Sequence, residues 1–147
     1  MIKMKIFKKI ANTLLILGAI AGGICTNVNA ANVKDSDWNY FTFGNTGTNY
    51  TDTRQKQDTT PAYSNVIEYN GRSGDYLQMY LVDSNKGDFH SRIVKTVHGP
   101  GQYSVSSYAY EDRGIVNVKM AFVAPWRLSY SWSANGHWSP DSTRSYN

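Results

Sequence analysis

The sequence predicts an all-β fold: an antiparallel β-sandwich of about eight short strands, preceded by an N-terminal signal-peptide helix. Three observations carry this expectation. Apolar and aromatic residues alternate with a period of two in several short runs. Breaks rich in Gly, Pro and Asn separate these runs at intervals of roughly 8 to 14 residues. Beyond the leader, no segment repeats apolar residues at helical spacing over three turns.

The leader comes first. Lys3, Lys5, Lys8 and Lys9 form a basic start, residues 10–24 an apolar run, and Val28, Asn29 and Ala30 a small-residue site before Ala31. That is the pattern of a secretory signal peptide cleaved between Ala30 and Ala31. A membrane span needs roughly 20 consecutive apolar residues, whereas this run is shorter and contains Gly18, Gly22 and Gly23. Cys25 lacks a lipoprotein context, with Ile24 before it and Gly22 three before, and reads as a chance cysteine within the signal. The expected organisation is residues 1–30 as signal peptide and 31–147 as one secreted, extracellular domain without a stable membrane anchor after cleavage.

Removing the leader rewrites the charge. The whole chain carries 15 Lys and Arg against 11 Asp and Glu, and the four basic residues of difference are the leader lysines. The exported part is therefore electrically balanced and has no global field to attract nucleic acid or an anionic membrane. It also keeps no cysteine, so a core rather than disulfides must hold it together.

The elements follow in order. Residues 31–37 are polar. Residues 38–43, rich in aromatics, read as the first strand, closed by a turn at Gly44, Asn45, Thr46 and Gly47. Residues 50–57 suit an exposed or edge strand, which Pro61 breaks. Residues 63–69 form a strand followed by the turn signal Asn70-Gly71. In residues 76–82, Leu77, Met79 and Leu81 face one way and Tyr76, Gln78 and Tyr80 the other, as in a strand partly covered on both faces. Residues 83–88 are a break, residues 92–98 a strand, and Gly99-Pro100-Gly101 ends it. Residues 103–110 read as a strand joined by a hairpin connection at 111–114 to residues 115–123, where Val116, Val118, Met120 and Phe122 share a face. Residues 127–133 alternate Leu128, Tyr130 and Trp132 against polar residues, and Asn135-Gly136 reads as a turn in a polar tail.

Arg54-x-Lys56 with Thr60-Pro61-x-Tyr63, Glu111-x-x-Gly114, and Gly136-His-Trp-Ser-Pro-Asp-Ser142 give the chain a resemblance that spans most of residues 31–147. On these motifs it resembles an uncharacterised family of small secreted β proteins of Gram-positive bacteria. The resemblance implies a bacterial, exported, single-domain context. It carries over no catalytic or binding residue.

The chemistry-bearing residues are sparse. His90, His98 and His137 lie in three regions without a partner at metal-site spacing, so no metal site is expected. Asp83, Asn85, Gly87 and Asp88 only partly match a calcium loop, because Lys86 intrudes and no Glu closes it. Glu68, Asp75, Glu111 and Asp112 are the acids available for a glycosidase pair, yet each lies at a strand end or turn. No Gly-x-Ser-x-Gly elbow is present. The expectation is a non-enzyme with no catalytic residues and no cofactor.

Aromatics are the strongest positive feature: four Trp, eleven Tyr and, beyond the leader, four Phe. Rings with polar tips serve carbohydrate stacking and protein interfaces as well as cores. Trp126, Tyr130, Trp132, Trp138, Tyr76 and Tyr80 are the residues expected to form an exposed platform. The expected partner is a cell-wall polymer, a glycan or a surface protein. The alternative is a bacteriocin-like antagonist of competitor cells, and a small hydrolase ranks third.

Overall fold

The computed structural model describes residues 32–43, 47–124 and 130–144. The leader, the cleavage site at Ala30 and Ala31, and Trp126 lie outside those residues. Among the described residues are nine strands and one short helix: β1 (Ser36–Phe43), β2 (Thr48–Tyr50), β3 (Arg54–Lys56), β4 (Ala62–Tyr69), β5 (Leu77–Asp83), β6 (Lys95–Val97), β7 (Gly101–Val105), α1 (Ala109–Arg113), β8 (Val116–Val123) and β9 (Trp132–Ser139).

They form two antiparallel sheets. One has the order β1-β9-β4-β7; the other runs β2-β8-β5-β6, with β3 also pairing with β8. The period-two pattern explains why the sheets stack. On β8, Val118, Met120 and Phe122 are fully buried, and Leu77, Met79 and Leu81 of β5 lie beside them. The facing sheet supplies Trp132, Ala134 and Trp138 from β9, Val66 from β4, Val105 from β7 and Trp38 from β1. Rings tie the layers together: Trp38 and Phe122 have centroids 4.2 Å apart, and Phe41 meets Phe122 edge-on at 5.6 Å. Large aromatics thus fill the space that a disulfide-free core must close by packing. The two-sided character of β5 also has its cause, because Tyr80 and Val82 on its other face are buried against Ala121 of β8.

Several expectations are corrected. The strand predicted over 50–57 is split into β2 and β3. Between them Thr51 bonds to β8 through both its backbone and its side chain: its N–H donates to Met120 O at 3.0 Å, and its Oγ1 accepts the Met120 N–H at 2.9 Å. The strand predicted over 92–98 is pared down to β6, Lys95–Val97.

Residues 103–110 are not one strand. β7 ends at Val105, and residues 109–113 form α1, closed by Gly114 at φ 65°. Residues 111–114 therefore do not connect a hairpin, since β7 and β8 belong to different sheets. The tail is a strand rather than a turn: Asn135 and Gly136 sit inside β9. A Cβ on Gly136 would stand 1.8 Å from the Asn65 carbonyl oxygen and 3.1 Å from the Trp38 ring, so glycine is there to let β4 and β9 approach. β9 begins at Trp132, and residues 127–129 lie outside the described residues.

Candidate functional site

At one end of the sandwich β4 stops, β5 and β9 begin, and β6 hands over to β7. The connecting segments carry an aromatic and polar cluster. Gly71 and Gly74 shape the loop after β4: Gly74 takes φ +91°, and a Cβ on Gly71 would lie 2.6 Å from the Tyr69 ring. That loop delivers Asp75, buried, beneath Tyr130. The Tyr130 hydroxyl donates to both Asp75 carboxylate oxygens at 2.5 and 2.6 Å, and Asp75 Oδ2 also accepts the Arg72 backbone N–H at 2.6 Å. The Arg72 guanidinium lies over the Tyr130 ring, 3.6 Å from its centroid.

Around this centre, His98 Nδ1 sits 3.2 Å from the Asp75 carbonyl, and Tyr76 meets the His98 ring edge-on at 6.2 Å. Tyr69 packs on Trp132 at 4.7 Å, and the Tyr103 hydroxyl donates to Gly99 O at 2.9 Å. Burial, with the Asp75 charge and the Tyr130 and Tyr103 phenols nearby, pushes the Tyr69 phenol up to about 12. The Tyr69 hydroxyl is itself buried without a hydrogen-bond partner among the described residues. The bond to Asp75 raises Tyr130 above the usual phenol range, and burial does the same for Tyr103.

Of the six residues expected to form an exposed platform, this end gathers Tyr76, Tyr130 and Trp132. Trp138 lies toward the other end, Tyr80 on the outer side of β5, and Trp126 outside the described residues. The platform itself is corrected. Trp138 is 0 % exposed, Trp132 5 % and Tyr80 6 %, because these rings fill the core or, for Tyr80, lie under Arg92 with the guanidinium 4.2 Å from the ring centroid. Tyr76 and Tyr130 are half-buried. Sequence reading missed Arg72, Asp75 and Tyr69 as members of this cluster. The available signal was the pair of glycines bracketing Arg72 just after a strand, which marks a shaped loop rather than a generic turn.

At the opposite end, the segments around Arg54-x-Lys56, Thr60 and Trp138-Ser-Pro-Asp-Ser142 dock on one another. Lys56, 1 % exposed, donates to Asp141, 0 % exposed, at 2.9 Å, to Pro140 O at 2.9 Å and to Thr60 O at 2.5 Å. Asp141 Oδ2 accepts the backbone N–H groups of Asn32 at 3.0 Å and Gln57 at 2.9 Å. Arg54 donates to Trp138 O at 3.1 Å, and Thr60 Oγ1 accepts the Ser142 N–H at 3.0 Å. Burial lowers the Arg54 guanidinium from its ordinary value, against the raising effect of Asp35 and Asp141. The Trp-Ser-Pro-Asp-Ser segment is thus a structural latch.

The remaining reactive groups are engaged singly. His137 Nδ1 lies 2.6 Å from Asp37, and His90 Nδ1 2.8 Å from Asp112. Glu68 accepts from Asn135 at 2.8 Å. In the 83–88 loop, Asp83 accepts the N–H groups of Asn85 and Gly87 at 2.9 and 2.8 Å and pairs with Arg113 at 2.8 Å. The Arg113 bond, helped by the Gly87 N–H, holds Asp83 below the usual carboxylate range. No group of three or more metal-binding side chains occurs among the described residues. Nor is any described helix long and apolar enough to cross a membrane.

Fold and site define an all-β antiparallel sandwich with an aromatic and arginine cluster borne on the loops of one end. Residues 26–142 match the family described as "Protein of unknown function (DUF2712)", and the chain belongs to it. No curated protein and no solved structure matches the chain.

Proposed function

We propose that the chain is an extracellular, non-enzymatic binding domain that engages cell-surface or wall components through the loop cluster around Asp75. The leader argues for export, and the balanced charge of residues 31–147 argues against nucleic acid as partner. The observation that carries the reading is the ordered cluster itself. Segments far apart in sequence meet at Asp75: its buried carboxylate holds the 69–76 loop to the Tyr130 hydroxyl, and its backbone carbonyl lies 3.2 Å from His98 Nδ1 of the 98–103 segment. Such loops on a rigid scaffold are where sandwiches carry recognition. Half-buried tyrosines with polar tips suit a hydroxylated ring. Glu68, Asp75 and Asp112 each meet a separate partner, Asn135, Tyr130 and His90, which favours binding over hydrolysis.

The test is co-sedimentation of purified protein with isolated Gram-positive cell walls. Wild-type protein is expected in the pellet, and Tyr76→Ala in the supernatant with an unchanged melting temperature. Substituting Trp132 or Trp138 is the wrong test, because both rings are core. Wild-type protein that stays in the supernatant overturns the reading, and dye release from vesicles identifies a membrane-acting antagonist instead.

A further inference from the structure

We infer that Arg72 is an oxyanion receptor, and that the ligand it fits is a saccharide or polyol chain bearing phosphate-ester or carboxylate groups. The inference rests on the reading of this loop cluster as a wall-binding site and names the chemistry the site selects.

The described arginines divide sharply. Arg54 spends its N–H groups on Trp138 O and Asn32 Oδ1, Arg92 on Asp88, Arg113 on Asp83 and Arg144 on Asp35. The Arg72 guanidinium makes no hydrogen bond or ion pair among the described residues, yet it is held in place. Its plane is stacked 3.6 Å from the Tyr130 centroid, Tyr130 is fixed by Asp75, and the Arg72 backbone N–H is fixed by the same carboxylate. A free arginine side chain carries substantial rotamer entropy. Stacking has already restrained this one, so less is lost when its N–H fork meets two oxygens of an anion.

Asp75 does not cancel the site. Its oxygens are turned into the Tyr130 hydroxyl and the Arg72 backbone, and the residue is only 7 % exposed. The Tyr130 ring lies beside the cation, and the half-buried Tyr76 ring, set edge-on to the exposed His98 imidazole, offers a further stacking surface for a hydroxylated chain. The Arg72 guanidinium takes one anionic group at a time. It does not make the row of phosphate contacts that nucleic acid requires.

The experiment titrates glycerol phosphate, glucuronate and methyl glucoside into the full purified protein, following the Arg72 side-chain and Tyr130 ring signals by NMR. The variants are Arg72→Gln, Arg72→Lys and the distant control Lys34→Gln. An anion is expected to shift these signals, with salt weakening the effect, and the neutral glucoside to act more weakly. Arg72→Gln should cost about ten-fold or more in affinity, Arg72→Lys part of that, and Lys34→Gln nothing. Preference for glycerol phosphate assigns the phosphate-ester source, and preference for glucuronate the carboxylate. The inference is overturned if neither anion shifts the signals or if Arg72→Gln binds as wild type. Walls bound equally by wild type and Arg72→Gln sink the anion receptor but leave wall binding standing. Glycerol phosphate bound at Arg72 by a protein that ignores walls does the reverse.

Discussion

Replacing Lys56 by Met removes the ammonium from the latch and keeps most of its volume. Asp141, 0 % exposed, then holds a charge answered by the backbone N–H groups of Asn32, Gln57 and, at 3.4 Å, Asp58, and at longer range by Arg54. Thr60 O and Pro140 O lose their donor as well. Breaking a buried ion pair by removing one partner costs about 3–5 kcal/mol, a large share of the roughly 5–15 kcal/mol that holds a domain folded. In a chain of this length that lowers the melting midpoint by roughly 10–20 °C. Urea unfolding followed by fluorescence of the buried Trp38 and Trp138 reads it directly. Lys56→Arg should also destabilise, because a planar fork does not match three oxygens converging on one nitrogen. The double variant Lys56→Met/Asp141→Leu should lose less than the sum of the singles, since the uncompensated charge is gone. It should still fall short of wild type, with the Asn32 and Gln57 N–H groups orphaned at about 1–3 kcal/mol each. A loss below about 1 kcal/mol in Lys56→Met, or strict additivity in the double variant, would refute the latch.

Three further outcomes are expected. Gly136→Ala places a Cβ 1.8 Å from Asn65 O and should force β4 from β9, costing about 3 kcal/mol or preventing folding, read by circular dichroism and chemical denaturation. Trp138→Ala and Trp132→Ala should each cost about 3–5 kcal/mol in the same assay, as core truncations rather than binding lesions. Tyr69, raised to about 12 when folded and near 10 when unfolded, contributes stability that is intact below pH 10 and lost as pH climbs toward 12. After allowance for screening at a half-buried ring this is roughly 1 kcal/mol, and Tyr69→Phe should flatten that part of the alkaline unfolding profile.

The strands that bury one full face, β4, β5 and β8, were legible because alternation reports a half-buried element directly. The split between β2 and β3 was not, because Thr51 keeps the chain on β8 through its side chain as well as its backbone. Helix α1 spans five residues and cannot display helical periodicity. Asn135-Gly136 looked like a turn because that dipeptide favours one, whereas the glycine serves a close approach between strands that only the fold reveals. Aromatic abundance singled out Tyr76 and Tyr130, which share one end, but it could not tell these from Trp132 and Trp138, whose rings supply the core. Arg72 escaped notice, and Asp75 stood out only as a candidate glycosidase acid, because their partner Tyr130 lies 55 residues beyond Asp75. Arg54-x-Lys56 and Trp138-Ser-Pro-Asp-Ser142 were visible in the sequence, and their role as a latch emerges only when Lys56 is seen against Asp141.

Backbone NMR of the labelled protein with solubilised cell-wall fragments tests the central claim most directly. The account predicts shifts concentrated in residues 69–76, 98–103 and 130, with the latch around Lys56 and Asp141 undisturbed. Shifts confined to the outer face of either sheet, or none with any wall fragment, would contradict it.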